Sequence, residues 1–192
     1  MLLDSTRKCY PFGLMKYVLQ IAAVMFGLWL TGCASPSSVV SHANPVIISQ
    51  PITLNHILVE TSSSPAGSAA EKNLLNDSII TNLKETELFM TVSGNRADAG
   101  TDNGIKVASD IREIKKVSDD ARAWAGALAG QAQIVVQVTI SDLKSGNQIE
   151  SFEVEGKSGK SAFAGTTEEA IERAAESITA EVVKLNAKTD PK

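Results

Sequence analysis

The chain predicts an α+β domain in which two helices pack on one face of a mainly antiparallel sheet. Three observations point there. Residues 134–155 hold two alternating apolar runs joined by a short polar turn, the pattern of paired antiparallel strands. Two amphipathic segments are each introduced by a hydroxyl residue followed three positions later by glutamate, the capping-box spacing of a helix start. The elements follow one another as strand, helix, short strand, three longer strands and helix, an order that favours helices segregated to one face.

From the N-terminus, residues 17–30 (YVLQIAAVMFGLWL) form an apolar run with Gln20 as its strongly polar member. At ~1.5 Å per residue it covers about 21 Å, short of a hydrocarbon core of about 30 Å, and so fits a signal-peptide hydrophobic region better than a spanning helix. Lys16 precedes it, and Leu30-Thr31-Gly32-Cys33 closes it before the polar Ala34-Ser35-Pro36. These four residues resemble the lipobox of bacterial lipoproteins. The resemblance implies cleavage before Cys33, acylation of Cys33 (palmitate being one such chain) and a lipid bilayer as partner. Ala34 after Cys33 implies an outer-membrane location facing the periplasm if the host is Gram-negative. The leader is thus residues 1–32, with Met15 the expected start, since Asp4, Pro11 and Gly13 fit a signal poorly.

Residues 33–51 read as a lipidated N-terminus and flexible tether, interrupted by Pro36, Pro45 and Pro51. The eighteen residues from Ala34 span roughly 23 Å r.m.s. and at most about 60 Å, enough to stand a domain off a membrane. Val46-Ile47-Ile48 is apolar enough to pack as an edge strand instead. Residues 52–187 form the single globular domain and 188–192 a disordered tail.

Within the domain, Thr53–Glu60 is a strand with apolar residues on both faces, hence central, and Ser62–Gly67 breaks it. His56 is expected to be a hydrogen-bonded structural histidine. Ser68 and Glu71 start a helix over 69–85 burying Leu74, Leu75, Ile79, Ile80 and Leu83. Leu88–Val92 is a short strand, and 93–103 an exposed loop whose Asp98 and Asp102 lack the ligand order of a calcium site. A long strand follows over 104–117; its Lys106, Arg112, Lys115 and Lys116 read as a solvated face. Residues 121–132 (ARAWAGALAGQA) read as a Gly/Ala-rich turn or bulged strand and as a candidate partner surface through Arg122, Trp124, Gly126 and Gly130. Ile134–Ile140 and Ile149–Glu155 pair across the turn 142–147, with Phe152 and Val154 inward. Residues 156–165 read as a flexible exit without phosphate-loop spacing. Thr166 and Glu169 start the last helix, residues 167–186, with Ile171, Ala174, Ala175, Ile178, Val182 and Leu185 on one stripe.

Arg122, Gly126 and Gly130 before the Ile134 strand, the Asp142-x-x-Ser145-Gly146 turn and the late amphipathic helix resemble an uncharacterised family of bacterial envelope lipoproteins over residues 53–186. That resemblance implies location and fold but no reaction.

Composition narrows function. Removing Arg7, Lys8 and Lys16 from the 18 Lys+Arg, and Asp4 from the 22 Asp+Glu, leaves residues 33–192 with a net charge near −6, which argues against nucleic acid. The two cysteines are Cys9 and Cys33, so no disulfide forms within the mature chain. No HExxH, CxxC, GxSxG or P-loop pattern occurs, and no metal or cofactor is expected. The leading expectation is a non-enzymatic binding or scaffold domain with an envelope protein partner, including an accessory role in a secretion, efflux or cell-wall synthesis assembly. The alternatives are a hydrolase using Asp110, Glu113 or Asp142, and a small-ligand binder at Arg122 and Gly126–Gly130.

Overall fold

The computed structural model describes residues 54–63, 66–98, 104–117, 131–159 and 165–189, together with the backbone of 38–42. All belong to one compact unit, Ser35–Lys192. The elements are β1 (Ser38–His42), β2 (His56–Ser63), α1 (Ala69–Glu85), β3 (Thr91–Ser93), β4 (Gly104–Lys115), β5 (Gln133–Asp142), β6 (Gln148–Lys157) and α2 (Thr167–Thr189). They build one six-stranded sheet in the order β1-β6-β5-β4-β2-β3. Pairings from β1 through β4 are antiparallel, whereas β2 lies parallel to both β4 and β3. This is the α+β class expected, with both helices in contact with each other over one face.

Alternation explains which face. Ile134, Val136, Val138 and Ile140 of β5, Phe152 and Val154 of β6, and Ile105, Val107 and Ile111 of β4 are buried in one core with Leu75, Ile79 and Leu83 of α1 and Ile171, Ala174, Ala175, Ile178 and Val182 of α2. Ile57 and Val59 point the same way, while Leu58 turns to the opposite face and packs on Leu143. Leu74 and Ile80 are only partly buried, at the margin of the stripe. The turn into β6 follows the expected chemistry: Gly146 takes φ 73° and its N–H donates to the Asp142 carbonyl at 2.9 Å.

Several boundaries differ from the sequence reading. The expected tether contains β1, whose Val39 pairs with Val154 on the open edge of β6. Two β-branched residues suffice there because the partner strand supplies the ladder. The Val46–Ile48 alternative lies outside the described residues. β2 continues to Ser63 through serines expected to break it, because Ser62 and Ser63 pair with Asp110 and Ile111 of β4. The strand expected over 88–92 is β3, and Leu88 and Met90 are 52% and 78% exposed. Residues 156 and 157, expected to begin a flexible exit, complete β6, and Ser158 beyond them is fully buried. Gly156 is there for proximity: a Cβ on it would lie 2.1 Å from the Ala170 carbonyl oxygen and 2.9 Å from the Ala174 Cβ. α2 runs to Thr189, into the residues expected as tail.

Candidate functional site

The strands have a polarity that defines two ends. β2, β4 and β6 run towards the end holding Ser63, Lys115 and Lys157, where β5 starts at Gln133 and both helices have their N-termini. At the other end lie the 142–147 turn and the starts of β2 and β4. β1 enters from the first end, since Ser38 pairs with Glu155 and His42 with Phe152.

Three clusters tie that first end together. At the start of α1, the Ser68 N–H donates to Glu71 Oε2 at 2.7 Å, and the Ser68 hydroxyl and the Lys116 ammonium also bind this carboxylate. Lys116, then the Ser68 hydroxyl, hold the Glu71 carboxyl at about 2. Between β5 and β6, the Ala132 N–H donates to the buried Ser158 Oγ at 2.9 Å, the Ser158 N–H to the Ala132 carbonyl at 3.0 Å, and Gln131 Nε2 to the Ser158 carbonyl at 2.5 Å. At the start of α2, the Thr166 hydroxyl accepts the Glu169 N–H at 3.1 Å. The Glu169 carboxylate does not complete the expected capping box. One oxygen accepts the N–H groups of Gly159 and Gly165, each at 3.1 Å, and the other meets Arg173 at 3.0 Å. Burial raises the Glu169 carboxyl, but these donors outweigh it and leave the value lowered.

The sheet face away from the helices is polar and internally paired. Lys106 meets Glu60 at 2.5 Å, and Asp110 accepts the Ser62 hydroxyl at 2.9 Å and pairs with Arg112 at 3.2 Å. Gln137 donates to Ser151 at 2.9 Å, Gln133 binds Glu155, and Lys157 meets Glu155 at 2.7 Å. Of the basic residues in and just after β4, Lys106, Arg112 and Lys116 are thus engaged with carboxylates rather than forming a free anion site.

The candidate carboxylates are distributed unevenly. β4 bulges between Ile111 and Glu113, so that Asp110 faces Gln137 and Glu113 faces Val135 on the same polar face. Asp142 lies beside Ile105, five positions from Asp110 along β4, or about 17 Å at strand rise. The structure therefore brings Asp110 and Glu113 together and keeps Asp142 apart. The Ser145 backbone N–H, which donates to Asp142 at 2.6 Å, and then the Ser145 hydroxyl lower the Asp142 carboxyl, which suits a turn anchor and not a proton donor. His56 Nδ1 is buried without a hydrogen-bond partner, contrary to the bonded histidine expected. No cluster of three or more potential metal ligands, and no helix long and apolar enough to cross a membrane, occurs among the described residues. Cys33, Arg122, Trp124, Gly126 and Gly130 lie outside them; the flanks of the 118–130 segment, Val117 and Gln131, are both at the first end of the sheet.

A profile for DUF4410, a domain of unknown function, matches residues 34–162. The chain belongs to this family. The DUF4410 match takes in all six strands, β1 included. No curated protein matches the DUF4410 chain. Among solved structures it is similar to a point variant of the PelC dodecamer from Paraburkholderia phytofirmans (9% identity, 74% of this chain and 95% of that one, TM-score 0.49). It is similar also to a DUF330-family protein from Xanthomonas campestris (14% identity, 79% and 94%, TM-score 0.47). A third similarity is to a candidate lipoprotein from Caulobacter crescentus (16% identity, 70% and 93%, TM-score 0.41).

Proposed function

We propose that this DUF4410 protein is a periplasm-facing lipoprotein, acylated at Cys33, whose domain binds or scaffolds other envelope components without catalysing a reaction. The observation that carries the reading is Leu30-Thr31-Gly32-Cys33 at the polar boundary of an apolar run too short to span a bilayer. Of the candidate catalytic carboxylates, Asp142 supports a binding role: it is held in its ionised form by donors of its own turn, the reverse of what a general acid needs. Ala34 after Cys33 supports the outer membrane of a Gram-negative host as the location. Service as an accessory subunit of a secretion, efflux or cell-wall synthesis assembly is the specific form this role takes.

The test is metabolic labelling of the full chain with a clickable palmitate analogue, compared with Cys33→Ala. Label on the native chain alone, with accumulation of unprocessed Cys33→Ala precursor, supports the proposal. Equal processing and membrane fractionation of the two, without label, refutes it.

A further inference from the structure

We infer that the end of the sheet holding Lys115, Lys157 and the helix N-termini is held against the bilayer surface, with the 142–147 turn pointing away from it. The inference rests on acylation at Cys33, as proposed above, and adds an orientation and a spacing to it.

The argument is one of chain length and strand direction. β1 begins five residues after Cys33, so Ser38 lies within about 18 Å of the acylated residue even with the intervening chain fully extended. Ser38 pairs with Glu155, two residues short of the end of β6 at Lys157. That end is about 7 Å beyond Ser38 along the sheet, which leaves the anchor at most about 11 Å clear of it. In the opposite direction, Gln148 at the turn is seven residues from Glu155, or about 23 Å, beyond the anchor's full reach. Because β1 runs from Ser38 towards His42, away from the first end, the chain enters the sheet from the side where Lys115 and Lys157 lie. A tether through residue 51 would have left orientation free. A strand starting at Ser38 removes that freedom and leaves the 142–147 turn as the part of the domain presented outward.

The mature lipidated chain has no free thiol, since Cys9 is in the leader and Cys33 carries the lipid. Lys115→Cys and Lys144→Cys, both at exposed positions, therefore give unique attachment points for a spin label at the two ends. The lipidated full chain is reconstituted in phosphatidylethanolamine/phosphatidylglycerol liposomes containing a nickel-chelating lipid, and relaxation of each label by headgroup nickel is measured. At least a fivefold greater enhancement at position 115 than at 144 is the expected result, and a 20-residue Gly/Ser insertion between Ser35 and Pro36 should abolish the difference. Equal enhancement, meaning a domain lying on its side, overturns the inference. So does the reversed order, absence of enhancement at both positions in liposome-bound protein, or a difference that survives the insertion. Protein that does not float with liposomes overturns the proposed function itself, which separates the two failures.

Discussion

Replacing Gly156 with alanine should be among the most damaging single-methyl changes in the domain. The added Cβ would sit 2.1 Å from the Ala170 carbonyl oxygen, 2.9 Å from the Ala174 Cβ and 3.0 Å from the Ala174 nitrogen. Two of these are backbone atoms of α2, so no rotamer change relieves them; the helix must retreat by about 1.3 Å to bring the Ala170 oxygen to the 3.4 Å of ordinary contact. A radial gap of that size forfeits about half or more of each dispersion contact along the Ile171, Ala174 and Ile178 stripe, on top of the local strain. Overpacking of a close-packed core costs ~1–3 kcal/mol, and we place Gly156→Ala at about 3 kcal/mol, a fall in Tm of about 6–12 °C for a chain of this size. The assay is equilibrium urea unfolding of the mature chain by circular dichroism, in which the midpoint should fall while the slope is unchanged. Gly146→Ala is the control: nothing lies within 4 Å of its Cβ, and its φ of 73° alone should cost about 1–2 kcal/mol. Adding Ala174→Gly to Gly156→Ala should restore little, because the carbonyl of residue 170 is still in the way. A loss below about 1 kcal/mol for Gly156→Ala would refute the close-approach argument.

Other consequences are as direct. Glu71 is near 4.5 unfolded and about 2 folded, so its contribution is full above pH 4.5 and is lost as pH falls from there towards 2. With Lys116 58% exposed, screening limits it to about 1 kcal/mol, and Glu71→Gln should flatten the urea midpoint against pH across that window. Glu169→Gln should accelerate hydrogen exchange of the Gly159 and Gly165 amides at least about fivefold, a loss of about 1 kcal/mol in charge-assisted bonding; unchanged exchange would count against the clamp. Ser109→Ala and Thr179→Val remove buried hydroxyls that have no partner and should each raise stability by up to about 1 kcal/mol in urea unfolding.

How far the fold was legible depends on whether its information was local. The β5–β6 hairpin is, because Ile134, Val136, Val138 and Ile140 alternate and Asp142 to Asn147 carries its own turn chemistry. α1 is too, through Ser68 and Glu71. β1 is not: Ser38-Val39-Val40-Ser41-His42 is extended because it meets β6, more than 100 residues away, a pairing that no window around it contains. The same holds for β2, whose parallel partner β4 carries its serine-rich end as far as Ser63. Gly156 misleads for a related reason. In a linear reading glycine marks flexibility, whereas here the absence of a side chain lets a helix pack close.

The candidate site divides along the same line. A chemical signature such as Leu30 to Cys33 is contained in four consecutive residues and needs no fold to be read. The relation between Asp110 and Glu113 is different, since an odd separation in a regular strand puts them on opposite faces. The bulge between Ile111 and Glu113 changes the phase and returns both to the polar face, beside Arg112 and Ser62. Glu169 shows the converse: its spacing from Thr166 announces a capping box, yet its carboxylate turns to the N–H groups of Gly159 and Gly165, donors that compete with the Thr166 backbone for it. Local spacing thus identifies which residues carry charge at the helix starts. Only the tertiary ladder decides what those charges hold, and here they hold the end of the sheet through which β1, and with it the chain from Cys33, enters the domain.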